Sequence, residues 1–413
     1  MPELVTGSVV ALVVPQGFLR SAESQRLRST FLTEWSLSEI SVFEDRLFDH
    51  SRQETAIIIG RKEPIQSSKH VLIYRRVRNS GMKAFKERQE FSSEAPVNQS
   101  RFAIGPSWNL ELPELEQLWH YLRHNQKLGD TAAVIKGLEF DESSFHQQPA
   151  AESAKRISGF EEVVRRAAGD YGIHELPPTT WVDFSRIRIR RHGPSPKSGV
   201  PQVLVNYARA GCDRWKLRAL LDVQGLVATR RFLVIRLKDP SIPLHYIWSV
   251  LNSPVANAYI ASHASTRDLP KRHVLQLPLP IASKEQMEQI ADVACEYLRA
   301  VSRTNAASWW SHEGVDPAAS LLRLDAEVLR LYDVPPLLER ELLDYFRGER
   351  RKGVPFVFPN YYPVDFLPCV PLHEYLSTEY ARCTLGQFRE APRDVSPDVL
   401  AALRNAAEAH GEE

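Results

Sequence analysis

Residues 7–28, GSVVALVVPQGFLRSAESQRLR, decide how the chain must be read. Val9 to Val14 is an unbroken apolar run, the pattern of a strand buried on both faces of a parallel sheet. Pro15, Gln16 and Gly17 stop it, and Ser21 and Ser24 are placed to cap a following helix that carries Arg26 and Arg28. A strand of this kind needs parallel neighbours, and the few residues before it supply none. The expectation is a sheet whose first strands lie outside this stretch.

Working outward, residues 36–62 add SLSEISVFEDRLFDHSRQETAIIIGRK, in which Ile40 to Phe43 and Thr55 to Ile59 read as two more strands around a polar loop. Strands alternating with helices predict an α/β sheet over residues 1–62. VLIYRRV offers a further strand, and the polar NSGMKAFKERQEFSSEAPVNQS after it reads as connecting chain. In LPELEQLWHYLRH, Leu115, Leu118 and Leu122 recur at helical spacing behind Pro113. Residues 126–281 are mostly strand-like (TWVDF, IRIRR, QVLVNYA, RRFLVIRL), with one helix expected at about 243–262. From residue 282 to 413 the periodicity is helical, apart from a Pro-rich aromatic tail at 353–373.

Composition narrows the function classes. The 413-residue chain has 43% hydrophobic and 25% charged residues and a formal net charge of +1, ordinary values for a globular protein of two or three domains. No apolar run approaches the roughly 18–20 residues that span a bilayer, and the N-terminus has no signal-type pattern. Cys212, Cys295, Cys369 and Cys383 lie far apart without CxxC spacing. They read as reduced thiols of a cytoplasmic protein rather than as a disulfide frame or a zinc site. His120 and His124 are four apart, but the acidic partner of a zinc-protease motif is absent, so no metal centre is expected. Neither GxSxG nor any pair of glycines at GxG spacing occurs, which removes a hydrolase elbow, a dinucleotide loop and a Walker loop. No complete catalytic constellation is present.

Charge is concentrated instead. From Arg186 to Lys238, thirteen Lys or Arg residues face only Asp213 and Asp222, an excess of eleven positive charges within 53 residues. Tyr207, Trp215 and His192 lie among them, so stacking surfaces accompany the cations. Arg186, Arg188 and Arg190 alternate with Ile187 and Ile189, so a strand there aims all three guanidiniums to one face. Two readings stand: a nucleic-acid surface, or a solvated strand face rich in arginine.

Three stretches, taken in order, resemble the C-terminal part of an N6-adenine DNA methyltransferase whose catalytic domain precedes its target-recognition domain. The opening stretch resembles the late strand and helix that follow the catalytic loop. ISVFEDRLFDHSRQETAIIIGRK resembles the next unit, which ends the catalytic fold. FLVIRLKDPSIPLHYIWSVLNSPVANAYIASHASTRDLPKRHVLQLPLP resembles the end of the recognition domain, and KLGDTAAVIKGLEF its opening. The resemblance spans about residues 7–62 and 126–281. It implies an incomplete Rossmann-like methyltransferase sheet at 1–62 and a mixed, β-rich target-recognition domain at 126–281; the residues themselves add a connecting segment with a helix at 63–125 and a helical region at 282–413.

The family's glycine-rich cofactor loop and its Asn-Pro-Pro-aromatic catalytic motif are not found. Pro177–Pro178 and Pro335–Pro336 lack both the Asn and the aromatic. The resemblance therefore implies a chain that binds no cofactor by itself and is inactive alone. Double-stranded DNA and an N-terminal methyltransferase partner chain are the implied partners, with S-adenosylmethionine serving the complete enzyme. By position, the aromatic that stacks on a flipped adenine is Phe48; a core Phe is the other reading, and Asp45 and Arg46 read as turn residues. The DNA-contacting pool is Arg186, Arg188, Arg190, Arg209, Arg214, Lys216, Arg230, Arg267, Lys271 and Arg272. Two alternatives remain: a non-catalytic DNA-binding protein of specificity type, and a truncated methyltransferase remnant.

Overall fold

The computed structural model describes residues 4–44, 47–48, 53–63, 70–78, 81–103, 108–141, 143, 147–164, 171–191, 199–208, 214–264, 268–306, 316–358, 360–363 and 365–377. Five strands, β1 (Val9–Pro15), β2 (Ser36–Phe43), β3 (Thr55–Arg61), β4 (Val71–Val77) and β5 (Ser93–Asn98), form one sheet in the order β1-β3-β2-β4-β5. β2 and β4 pair in parallel, whereas β3 runs antiparallel between β1 and β2, and β5 antiparallel to β4. The sheet thus continues through β4 and β5, beyond residue 62.

The opening strand corrects its sequence reading. β1 is an edge strand whose only described neighbour is the antiparallel β3. Val9 and Val13 are 61% and 58% exposed, so one face of the apolar run is open to solvent. Continuous apolarity did not report burial on both faces here. The opposite side of the sheet carries the core: Leu37, Ile40, Ile58 and Leu72 pack against Phe31, Leu32 and Trp35. Phe31 and Leu32 come from the helix Gln25–Glu34. That helix has no side-chain N-cap bond; the Ser21 hydroxyl donates to Ser24 instead. Fully buried Arg28 ties the helix to its surroundings by donating to the backbone oxygens of Trp108, Phe18 and Ser21.

The second half is built on an antiparallel sheet in the order β13-β12-β15-β6. Its strands are β6 (Ala132–Lys136), β12 (Gln202–Asn206), β13 (Ala219–Asp222) and β15 (Phe232–Leu237). A smaller sheet follows the order β14-β9-β10-β8, from β8 (Glu152–Ser153), β9 (Glu161–Val164), β10 (Thr180–Val182) and β14 (Val227–Ala228). β7 (Glu139–Phe140) and β11 (Ile189–Arg191) make a two-stranded ribbon. The expected single helix at 243–262 is two, Leu244–Asn252 and Pro254–His263. Pro254 has no amide hydrogen to continue the first helix and suits the first turn of a new one. Ser253 caps that new helix, its side chain accepting from the Ala256 amide.

The Leu-Asn-Ser segment has a visible structural task. The Asn252 side chain accepts from the Ala219 amide and donates to the Ala219 and Trp248 carbonyls. Asn257 accepts from the Leu217 amide in the same way. Backbone groups along β13 and its approach are thereby satisfied by helix side chains. The helices Lys284–Ala306, Pro317–Tyr332 and Pro336–Tyr345 complete this core. The later chain returns through Arg351, which pairs with Asp325, donates to the Asn252 carbonyl and lies over the Trp215 ring at 4.4 Å. Both charged side chains are only 2% exposed, and Tyr361 donates a further bond to Asp325.

Candidate nucleic-acid interface

The ribbon β7–β11 presents the clearest cationic surface. Ile187 is buried, and Ile189 packs against the cluster of Leu138, Phe140, Val163, Val182 and Val227. Alternation then turns Arg186, Arg188 and Arg190 outward, and all three are exposed. The regular strand covers only Ile189–Arg191, so Arg186 sits in the preceding turn. Asp183 pairs with Arg186 at 3.0 Å and Asp141 with Arg190 at 3.0 Å. Arg230 is exposed beside the same ribbon and pairs with Glu139 at 2.6 Å.

Other members of the expected pool lie elsewhere. Arg214 is buried, donates to the Tyr345 carbonyl and lies 4.1 Å over the Tyr345 ring. It is a packing residue and cannot meet a phosphate, which corrects its place among the DNA contacts. Arg218, counted in the basic excess, is also buried, over Tyr171. Lys216 is half-buried and donates to the Ala264 carbonyl at 3.3 Å. Lys271 and Arg272 are exposed at the start of the short helix Lys271–Leu275. Arg209 and Arg267 fall outside the described residues, as do Asp45 and Arg46. Phe48, between β2 and β3, is 45% exposed, which removes the core reading of this side chain. Among the described residues no His, Cys, Asp and Glu cluster suits a metal ion, and His120 and His124 both face Arg123.

A cleft of about 40 Å³ opens where β1, β2 and β4 end, facing the second half of the chain. Gln16, Val42, Glu44 and Val77 line it from those strand ends, Glu54 from the approach to β3, and Lys216 and Ala261 from the far side. Glu111, Glu114 and Arg76 complete the wall. Burial alone would raise both Glu111 and Glu114, but their surroundings separate them. Arg76, Arg78 and Arg214 hold Glu114 down at about 2, with Arg78 at 2.6 Å. Glu111 stays raised by burial despite Arg20, Arg76 and Lys216. Cations gather beside this cleft. Arg20 pairs with Glu111 at 3.1 Å and donates to the His263 carbonyl. Burial, together with nearby Arg272, Arg20 and His263, pushes His273 down to about 4.

Sequence reading missed Glu111 and Glu114. It placed LPELEQLWHYLRH in a helix from Pro113, whereas the helix spans only Glu116–Tyr121. Residues 110–112 instead thread back to the first sheet through bonds from the Leu110 amide to Leu19 and the Leu112 amide to Tyr74. The acidic pair flanking Pro113 was the available signal.

No protein-family model matches the chain, and no curated protein is similar to it in sequence. Several solved structures are similar. The type IIG restriction endonuclease BpuSI aligns at 11% identity and TM-score 0.34, over 80% of this chain and 47% of that one. The type IIL restriction-modification enzyme MmeI in complex with DNA aligns at 10% identity and TM-score 0.44, over 79% and 46%. The HsdS subunit from Thermoanaerobacter tengcongensis aligns at 13% identity and TM-score 0.30, over 53% and 51%. The chain spans about half the length of each of these three proteins.

Proposed function

We propose that this chain is the DNA-recognition part of a site-specific adenine-N6 DNA methyltransferase of a restriction-modification system. It works with an N-terminal catalytic part supplied separately. The observation that carries the reading is the outward arginine row of Arg186, Arg188 and Arg190, which runs from a turn into the β7–β11 ribbon over apolar residues on the inner side. A two-stranded ribbon is one of the two elements that a B-DNA major groove admits. Exposed cations at Lys271 and Arg272 add a second surface for phosphate. The order of the three family-like stretches supports the same reading.

S-adenosylmethionine supplies the methyl group in the complete enzyme. The residues present here do not fit that donor: Pro15 ends β1 and Gln16 follows it, and no two glycines in the chain lie within two residues of each other. A backbone turn that a nucleoside can approach closely needs such glycines. No methyl-transfer step is assigned to this chain.

The test is duplex binding as a function of salt. Each phosphate contact changes the slope of log K against log salt by nearly one unit. Replacing Arg186, Arg188 and Arg190 together by Ala is expected to weaken binding and flatten the slope by about one unit or more. An unchanged affinity and slope would assign the row to the solvated-face reading.

A further inference from the structure

The arginines of the exposed row are not held alike. Asp183 Oδ1 accepts from the Ser185 amide at 3.0 Å and from its hydroxyl at 2.6 Å, while Oδ2 accepts from Arg186 Nε. Asp141 is anchored by a serine in a related way, its Oδ1 accepting from the Ser143 amide at 3.2 Å, from its hydroxyl at 2.7 Å and from Arg190 Nη2 at 3.0 Å. Two Asp-x-Ser segments thus each place a serine-anchored carboxylate against one edge of an arginine fork. The aspartates are 16% and 13% exposed, and their arginines 52% and 60%. The grip therefore lies below and the rest of each guanidinium faces solvent. Arg188, between them, is exposed and has no side-chain partner among the described residues. Its backbone carbonyl accepts from the Asp141 amide.

This difference separates two kinds of DNA contact. A phosphate clamp needs only charge, and a mobile cation supplies it. A base reader must present its planar fork to guanine O6 and N7 in fixed geometry, which favours an arginine whose rotamer is already held. We propose that Arg186 and Arg190 each read a guanine, oriented by Asp183 and Asp141, while Arg188 contacts phosphate. The assignment rests on the DNA-recognition reading above and supplies the sequence preference that reading lacks.

The experiment uses the full chain and a pool of duplexes with a randomised core, selected for binding and sequenced. Wild-type protein is expected to enrich sites containing at least two fixed guanines. Arg190→Lys keeps the charge but not the fork, so it should lose one of those guanines, with discrimination there falling about ten- to a hundredfold. Asp141→Asn should lose the same guanine, and Arg186→Lys and Asp183→Asn the other. Arg188→Lys should leave the motif intact, and Arg188→Ala should lower the salt slope by about one unit without altering the motif. Melting curves matching wild type exclude misfolding as the cause of a lost guanine. A motif retained in both Arg186→Lys and Arg190→Lys overturns the inference, as does a wild-type protein that binds duplexes without preference. Those two results leave DNA recognition standing. Absence of salt-dependent binding to any duplex removes that reading, and the inference with it.

Discussion

Arg188 and Arg214 carry the same side chain and have opposite fates. Alternation with Ile187 and Ile189 made the outward turn of Arg188 legible from local sequence. Nothing local reveals that Arg214 is covered by Tyr345, more than a hundred residues later in the chain. Removing a buried, bonded cation costs stability, whereas removing an exposed one costs little. Arg214→Gln should therefore lower stability by roughly 2–4 kcal/mol in denaturant unfolding, with Arg188→Gln near wild type. Phe48 belongs to the same scale. Being 45% exposed, its replacement by Ala should leave the melting curve in place. In the presence of a complementing catalytic part, the lost stacking surface should reduce turnover about ten- to a hundredfold, a stacking contribution of roughly 1–3 kcal/mol per base. A lowered melting temperature with proportionate loss of activity would assign Phe48 to packing. Glu339 offers a pH test. Burial raises it to about 7, and its carboxylate accepts from the Leu372 amide at 2.6 Å. The folded state thus holds a proton that the unfolded state releases near pH 4.5. Stability from this group is complete below that value and declines as pH rises through 7. Glu339→Gln keeps an acceptor without ionising, so it should flatten that decline and stabilise the protein at pH 8, by on the order of 3 kcal/mol at most.

At the scale of elements, strand positions were mostly legible and their partners were not. Ile40–Phe43, Thr55–Ile59 and VLIYRRV fall within observed strands, and QVLVNYA and RRFLVIRL contain β12 and β15. An apolar run reports a strand without reporting its neighbour, so β1 was assigned parallel neighbours, whereas its described neighbour is antiparallel. The helix break at Ser253–Pro254 was legible in retrospect, since apolar periodicity overshadowed a Ser-Pro start signal. Gly137 marks a constraint that is also visible only in three dimensions. Between β6 and β7 the chain passes so close to the β14–β15 turn that an added Cβ would lie 2.2 Å from the Thr229 carbonyl oxygen. Backbone cannot yield as a flexible side chain does, so Gly137→Ala should destabilise by about 1–3 kcal/mol. The ribbon that follows should loosen with it, which hydrogen exchange at the Leu138 amide would register, since that amide donates to Ala228.

Over the whole molecule, the sequence revealed a basic excess but not where the fold places it. Of the thirteen cations between Arg186 and Lys238, Arg214 and Arg218 are spent on packing around Tyr345 and Tyr171. Arg236 turns toward Gln202, and Lys238 toward the Gly129 and Asp130 carbonyls. Counting charges along the chain therefore overstates the cationic surface. The cleft shows the converse: its acidic wall joins Glu44, Glu54, Glu111 and Glu114 with Lys216, residues drawn from both halves of the fold. No local motif announces such an assembly.

The open edge of β1 has a practical outcome for anyone handling the protein. It lacks the lysines, inward charges and bulges with which natural sheets discourage edge-to-edge pairing. Val9, Ala11 and Val13 form an apolar, uncharged ribbon along an edge whose outer side has no strand partner among the described residues. In concentrated solution the chain should form soluble clusters that grow with protein concentration and persist in salt, since no ionic attraction holds them together. A single gatekeeper charge should suppress them: Val13→Lys is expected to yield a monodisperse scattering profile at concentrations where the unaltered chain is polydisperse, with its melting temperature little changed because Val13 already faces water. Clusters that survive this substitution would place the sticky surface elsewhere.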